Sequence, residues 1–169
     1  LATRGITGDV TLLARPKGAH VTDVFVKTST RTMELALDVE VAGVEHAGDA
    51  TFTASIRDGA GVERERFTET RGLRREDTQT VRMSWNWYTP KLWDFKQPNV
   101  YTLQLRVRGA GIDDEYPQRF GFREFWIEGR KFFLNGSEFR LRPIQGTGYY
   151  ANNETVAESM IRGRMAAGF

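Results

Sequence analysis

A chain of 169 residues with 40% hydrophobic and 27% charged side chains, 17 Gly and 5 Pro is long enough and apolar enough to bury its own core, which excludes a disordered or fibrous protein. Its 24 basic and 22 acidic residues nearly balance, and the densest basic cluster, Arg71 with Arg74 and Arg75, is set among Glu69 and Glu76, so nucleic acid is not an expected partner. With no cysteine there is no disulfide framework, thiol nucleophile or cysteine-based metal site, and no apolar run approaches the roughly 20 residues of a membrane helix.

Asp9–Arg15 and Val21–Lys27 read as short strands separated by Pro16-Lys17-Gly18, a turn whose proline cannot continue a ladder. The clearest alternation follows, with Met33, Leu35, Leu37, Val39 and Val41 on one face and Thr32, Glu34, Asp38 and Glu40 on the other, so one face is buried and one is wet. Phe52, Ala54 and Ile56 repeat the pattern. Asp58-Gly59-Ala60-Gly61 turns the chain, and the polar run Val62–Thr70 returns as an edge strand guarded by charge.

Val81, Met83 and Trp85 alternate within Thr80–Trp85, and Tyr101, Leu103, Leu105 and Val107 alternate with Thr102, Gln104, Arg106 and Arg108. Gly109-Ala110-Gly111 then turns into a last strand over Tyr116–Glu124. Two-sided alternation broken by turns about every ten residues predicts a mainly β chain, an antiparallel sandwich of immunoglobulin type over residues 1–116.

Residues 117–169 read differently. Phe132, Phe133 and Leu134 lead into Asn135-Gly136, and Phe139, Arg140 and Leu141 lead out, which is a tight hairpin around the dipeptide that best supplies two positive φ angles. A strand over Arg140–Gln145 and a helix from about Glu154 to Gly168, introduced by the capping spacing of Thr155 and Glu158, make one β/α unit.

Phe120-Gly121-Phe122-Arg123, Phe133-Leu134-Asn135-Gly136 and Arg140-Leu141-Arg142, preceded by Lys91-Leu92-Trp93-Asp94 and Pro98-Asn99-Val100-Tyr101-Thr102-Leu103, resemble family 2 glycoside hydrolases of the β-galactosidase, β-glucuronidase and β-mannosidase type. Gly5–Pro16 is similar to that family's exit from its N-terminal jelly-roll domain. The resemblance implies an immunoglobulin-like sandwich, then a hairpin and the truncated first β/α unit of a TIM barrel, a fold of about 250 residues when complete. After Arg142 the sequence departs from the family pattern, with Pro143-Ile144-Gln145-Gly146-Thr147-Gly148-Tyr149-Tyr150 where many members carry a His- and Glu-rich loop, so the substrate class stays open.

Such enzymes are retaining glycosidases and need two carboxyl groups about 5–5.5 Å apart. The resemblance places both on later barrel strands, so no catalytic residue is expected before Phe169, and this piece by itself is expected to be inactive. Arg142 matches a barrel-strand arginine that can approach substrate. Trp85, Trp87, Trp93 and Tyr101 are candidates for a structural aromatic cluster, and with Tyr88 and Phe95 they could instead stack on sugar rings. Glu63 with Glu65, and Asp113, Asp114 and Glu115, are alternating or turn positions on a solvated face rather than a catalytic pair, and His20 and His46 suggest no metal site.

The expected function is therefore that of a non-catalytic central piece of a glycosidase that scaffolds the barrel, with a free carbohydrate-binding or adhesion sandwich as the alternative. No cofactor is expected. The expected partners are the jelly-roll and barrel domains of the parent and, for the parent, carbohydrate, with no nucleic acid or membrane; the open-edged tail could also self-associate. Family habit implies a periplasmic or secreted parent, with the cytoplasm as the other option.

Overall fold

The computed structural model describes residues 10, 12, 15–141 and 154–166, in two compact units, 15–139 and 1–14 with 140–169. Within the first unit seven strands form the sandwich. One sheet has the order β1-β2-β5, made of β1 (His20–Ser29), β2 (Glu34–Val44) and β5 (Glu76–Asn86). The other has the order β4-β3-β6-β7, made of β3 (Gly48–Arg57), β4 (Glu63–Leu73), β6 (Tyr101–Gly109) and β7 (Ile112–Phe120). All neighbours are antiparallel.

The core lies where the two alternations face each other. Leu35, Leu37, Val39 and Val41 of β2 and Phe52, Ala54, Ile56, Leu103, Leu105 and Val107 of β3 and β6 are fully buried. Register puts Val39 beside Val81, Leu37 beside Met83 and Ala54 beside Leu105, so each inward row is continuous across its sheet. Burying such a side chain is worth roughly 1.5–3 kcal/mol, which is why the period-two pattern decides the fold. Met33, at the start of the expected row, belongs instead to the β1–β2 turn with φ of 51°.

The two open sides of the sandwich are closed by different means. On one side β1 meets β7, where the backbone N–H of Val21 donates to Asp114 Oδ2 at 2.9 Å. On the other, Phe67 of β4 stacks on Trp85 of β5 with ring centroids 5.1 Å apart. Charge guards β4 as an outer strand, Arg66 pairing with Glu63, and Arg71 with Glu69 on the face that carries Phe67.

Two expectations need correction. The last sandwich strand begins at Ile112, four residues before the expected Tyr116, because Asp113 and Glu115 are ladder residues that form ion pairs with Arg106 and, for Asp113, Arg108 across β6. Of the alternating and turn positions open to this acidic run, the structure shows the alternating ones, with Asp113 and Glu115 as cross-strand partners. The single expected hairpin is one half of a three-stranded meander, β8 (Phe125–Glu128), β9 (Lys131–Leu134) and β10 (Ser137–Phe139). Asn135 and Gly136, with φ of 50° and 87°, make the tight β9–β10 turn that the dipeptide predicts.

The helix described in the second unit is α1 (Glu154–Ala166), in which Arg162 reaches back to Glu158 at 2.6 Å. Most of the expected strand Asp9–Arg15, the strand positions from Arg142 to Gln145, and Gly168 lie outside the described residues.

Candidate functional site at the junction of sandwich and meander

The densest polar and aromatic network forms where the chain leaves β7. Phe122 is fully buried and meets the Trp87 ring edge-on at 5.5 Å, while its carbonyl accepts the Trp93 backbone N–H at 2.9 Å. This ties the Leu92-Trp93 segment beside Phe122. Asp94 Oδ1 accepts the backbone N–H groups of Lys96 and Gln97, each at 2.7 Å, and Asn99 Nδ2 donates to Leu92 O at 2.9 Å, so the run from Lys91 to Tyr101 is a loop built on its own polar residues.

Trp93 lies over Gly121, where a Cβ would come within 2.8 Å of the Trp93 Cβ. The Arg123 guanidinium covers the ring at 4.3 Å from its centroid. Thr28 holds Arg123 by its backbone, its hydroxyl donating to the carbonyl at 2.6 Å and accepting the N–H at 3.2 Å.

Glu124 is the centre of this network. Its side chain is only 12% exposed and accepts from Ser29 Oγ at 2.9 Å, the Thr30 N–H at 2.8 Å, the Arg31 N–H at 3.1 Å and Arg31 Nε at 2.8 Å. Burial pushes its carboxyl up, but the Arg31 guanidinium, the Ser29 hydroxyl and the two backbone N–H groups outweigh that and hold it at about 2. The Arg31 guanidinium also lies over the Trp126 ring, 4.7 Å from its centroid, so β8 is tied to the β1–β2 turn.

Asn135 completes the junction. Its backbone N–H donates to Glu124 O at 2.9 Å, its Oδ1 accepts the Glu124 N–H at 2.9 Å, and its Nδ2 donates to Trp93 O at 2.8 Å. A turn residue thereby clamps three chain segments. Glu124, Arg31 and Asn135 were not candidates from sequence, since only the turn chemistry of Asn135 is local; the partners of Glu124 lie about 95 residues away.

The sequence-predicted aromatics fall in three places. Trp87 and Tyr101 are buried and pack edge-to-face at 4.8 Å, Trp85 stacks on Phe67, and Trp93 belongs to the junction, where it meets Phe95 at 5.5 Å. Arg142 lies outside the described residues. His20 bonds Gly18 O at 2.8 Å, and among the described residues no group of three or more His, Cys, Asp or Glu is placed to hold a metal.

Three further carboxylates are held in their charged form by their neighbours. Arg66 and the Ser55 hydroxyl keep Glu63 at about 2, Arg64 keeps Asp58 below the usual range, and Arg108 does the same for Asp113.

The fold is thus the immunoglobulin-like sandwich with a short meander attached. Residues 19–123 match the family model described as glycosyl hydrolases family 2, and the chain belongs to that family. It is 40% identical over 54 residues to a β-galactosidase of Thermoanaerobacterium thermosulfurigenes, a match covering 32% of this chain and 8% of that protein. Over 148 residues it is 28% identical to a β-galactosidase of Priestia megaterium, covering 83% of this chain and 14% of the relative. The crystal structure of a family 2 member from Bacteroides cellulosilyticus superimposes with a TM-score of 0.63 at 21% identity, over 73% of this chain and 17% of that one. The chain therefore spans a small fraction of the length of the proteins it matches.

Proposed function

We propose that this chain is a non-catalytic central part of a retaining glycoside hydrolase, and that its sandwich and meander form the scaffold on which the catalytic barrel rests. The parent would hydrolyse O-glycosidic bonds, its jelly-roll and barrel domains would be the partners of this piece, and Arg142 would approach the substrate from the barrel side. The observation that carries the reading is the outer face of the meander. Phe125, Ile127, Phe132, Leu134 and Phe139 share it by register, and Phe125 and Ile127 are 50% and 62% exposed although the sandwich core beside them is closed. The opposite face, with Trp126 stacked on Phe133, is the one that Arg31 covers. An apolar face of this kind on an otherwise charged chain is a surface built to be covered.

The purified chain should hydrolyse no nitrophenyl β-galactoside or β-glucuronide above the buffer rate. Turnover that disappears on substituting a carboxylate within residues 1–169 would overturn the non-catalytic reading. The scaffold reading is tested in the parent enzyme, where Phe125→Glu with Ile127→Glu should lower its melting temperature and kcat together. In the isolated chain the same pair should leave the sandwich melt within about 2 °C, because the rings that Phe125 meets, Phe132 and Phe139, belong to the meander and not to the sandwich core.

A further inference from the structure

At the end of the sandwich where the β3–β4 turn meets the segments after β5 and before β6, Asp58, Arg64, Trp87, Thr89, Lys91 and Tyr101 enclose a cavity of about 230 Å³. Trp87 and Tyr101 are 2% and 3% exposed, so their polar atoms are fixed in place by the core around them. The Tyr101 hydroxyl accepts the Lys91 backbone N–H at 2.7 Å, which leaves its hydrogen to be donated. The indole N–H of Trp87 can only donate, and no hydrogen bond to another described residue engages it, so it is left open to solvent through the cavity.

The cavity's one carboxylate is not available to them. Asp58 Oδ1 accepts the Ala60 N–H at 2.9 Å and the Val62 N–H at 3.0 Å, and Oδ2 accepts both Nε and Nη2 of Arg64 at 2.7 and 2.6 Å. What remains is a lining rich in groups that can donate: the indole N–H, the phenol O–H, the Thr89 hydroxyl, and the Lys91 and Arg64 cations. The two cations outnumber the single, already engaged anion. The rings themselves pack edge-to-face within the core and offer no open platform for stacking.

We infer that this cavity is a binding site for a small oxyanion, either a free inorganic anion or the carboxylate of a single acidic sugar residue. Its size admits no more than one such unit, and its lining supplies donors in the charge-assisted class that bind oxyanions best. The site lies at the same end of the sandwich as the junction, where Trp87 packs on Phe122, and the inference does not depend on whether the chain scaffolds a barrel.

The test follows the Trp87 indole N–H resonance of the ¹⁵N-labelled chain during titration with sodium sulfate, with galacturonate and with galactose, each at matched ionic strength in sodium chloride. The last two sugars differ by the carboxylate. Saturable movement with sulfate and galacturonate alike identifies the oxyanion as sufficient, and saturation with galacturonate alone identifies the acidic sugar. Lys91→Gln and Arg64→Gln, both at exposed positions, should each weaken binding about tenfold, in line with losing one charge-assisted hydrogen bond, while the amide spectrum stays folded. Tyr101→Phe, which keeps the ring, should weaken it as well. Movement that is linear in salt, equal with galactose, or unchanged in both cation variants would mean that the cavity holds solvent only, and would overturn the assignment.

Discussion

Gly109→Ala should be among the most damaging single substitutions in the sandwich. Gly109 stands at φ of 119°, and an added Cβ would lie 2.3 Å from Asp49 O and 2.9 Å from Ala50 Cα, both backbone atoms of the neighbouring strand β3. Strain of a non-glycine residue at such a φ costs about 1–3 kcal/mol. The steric conflict adds about 1–3 kcal/mol more, because strand backbone cannot rotate aside as a side-chain tip can. Against a total stability of about 5–15 kcal/mol, a loss of roughly 4 kcal/mol lowers the melting temperature by about 10 °C. Gly111→Ala is the internal comparison, since Gly111 has φ of 81° but nothing within 4 Å of an added Cβ, so only the backbone strain applies. Gly59→Ala, with neither a positive φ nor a neighbour, should be neutral. A thermal melt of the three variants should rank Gly109 far below Gly111, and Gly111 below Gly59. Equal melting for Gly109→Ala and Gly59→Ala would mean that β3 and β6 do not approach this closely.

The same glycine shows what the sequence makes legible. Gly109-Ala110-Gly111 reads correctly as a turn, because a positive φ is a local demand, but the approach of β3 to Gly109 comes from a residue about 60 positions away. The inward rows of β2, β3 and β6 are legible for the same local reason, since burial of one face imposes period two on each strand independently. Met33 escapes that rule because the β1–β2 turn claims it. The acidic run from Asp113 to Glu115 carries no local mark of its role. Its partners Arg106, Arg108 and the backbone of Val21 come from other strands, and without them alternating and turn positions read alike. Asn135 divides the two cases within one residue, its φ predictable from Asn-Gly and its side-chain amide bond to Trp93 O invisible until the strands are paired.

Glu124→Ala should release the meander while leaving most of the sandwich intact. The substitution leaves the Ser29 hydroxyl, the Thr30 and Arg31 backbone N–H groups and the Arg31 guanidinium without their acceptor in a half-buried corner. Leaving such donors unpaired costs about 1–3 kcal/mol, and the charged partner puts the loss at the upper end, about 2–3 kcal/mol. The cost falls on the junction, because the sandwich core contains none of these groups, and a short three-stranded sheet has little independent stability. Amide exchange at Trp126, Phe133 and Asn135 should therefore accelerate by a factor on the order of 30–100, while exchange at Val39 and Leu105 changes little. Acid supplies a second, independent check. In the folded chain the Glu124 carboxyl is held at about 2 against an ordinary 4.5, so its contribution is complete above pH 4.5 and is lost as the pH falls from there towards 2. Glu63 is depressed to about 2 as well, but it is present in both proteins and cancels in the difference between them. The gap in junction stability between wild type and Glu124→Ala should thus be constant above about pH 5 and close progressively below it. A gap independent of pH down to 2.5 would show that the carboxylate charge does not hold the meander, and uniform acceleration at Val39 and Leu105 would show that the meander and sandwich open as one unit.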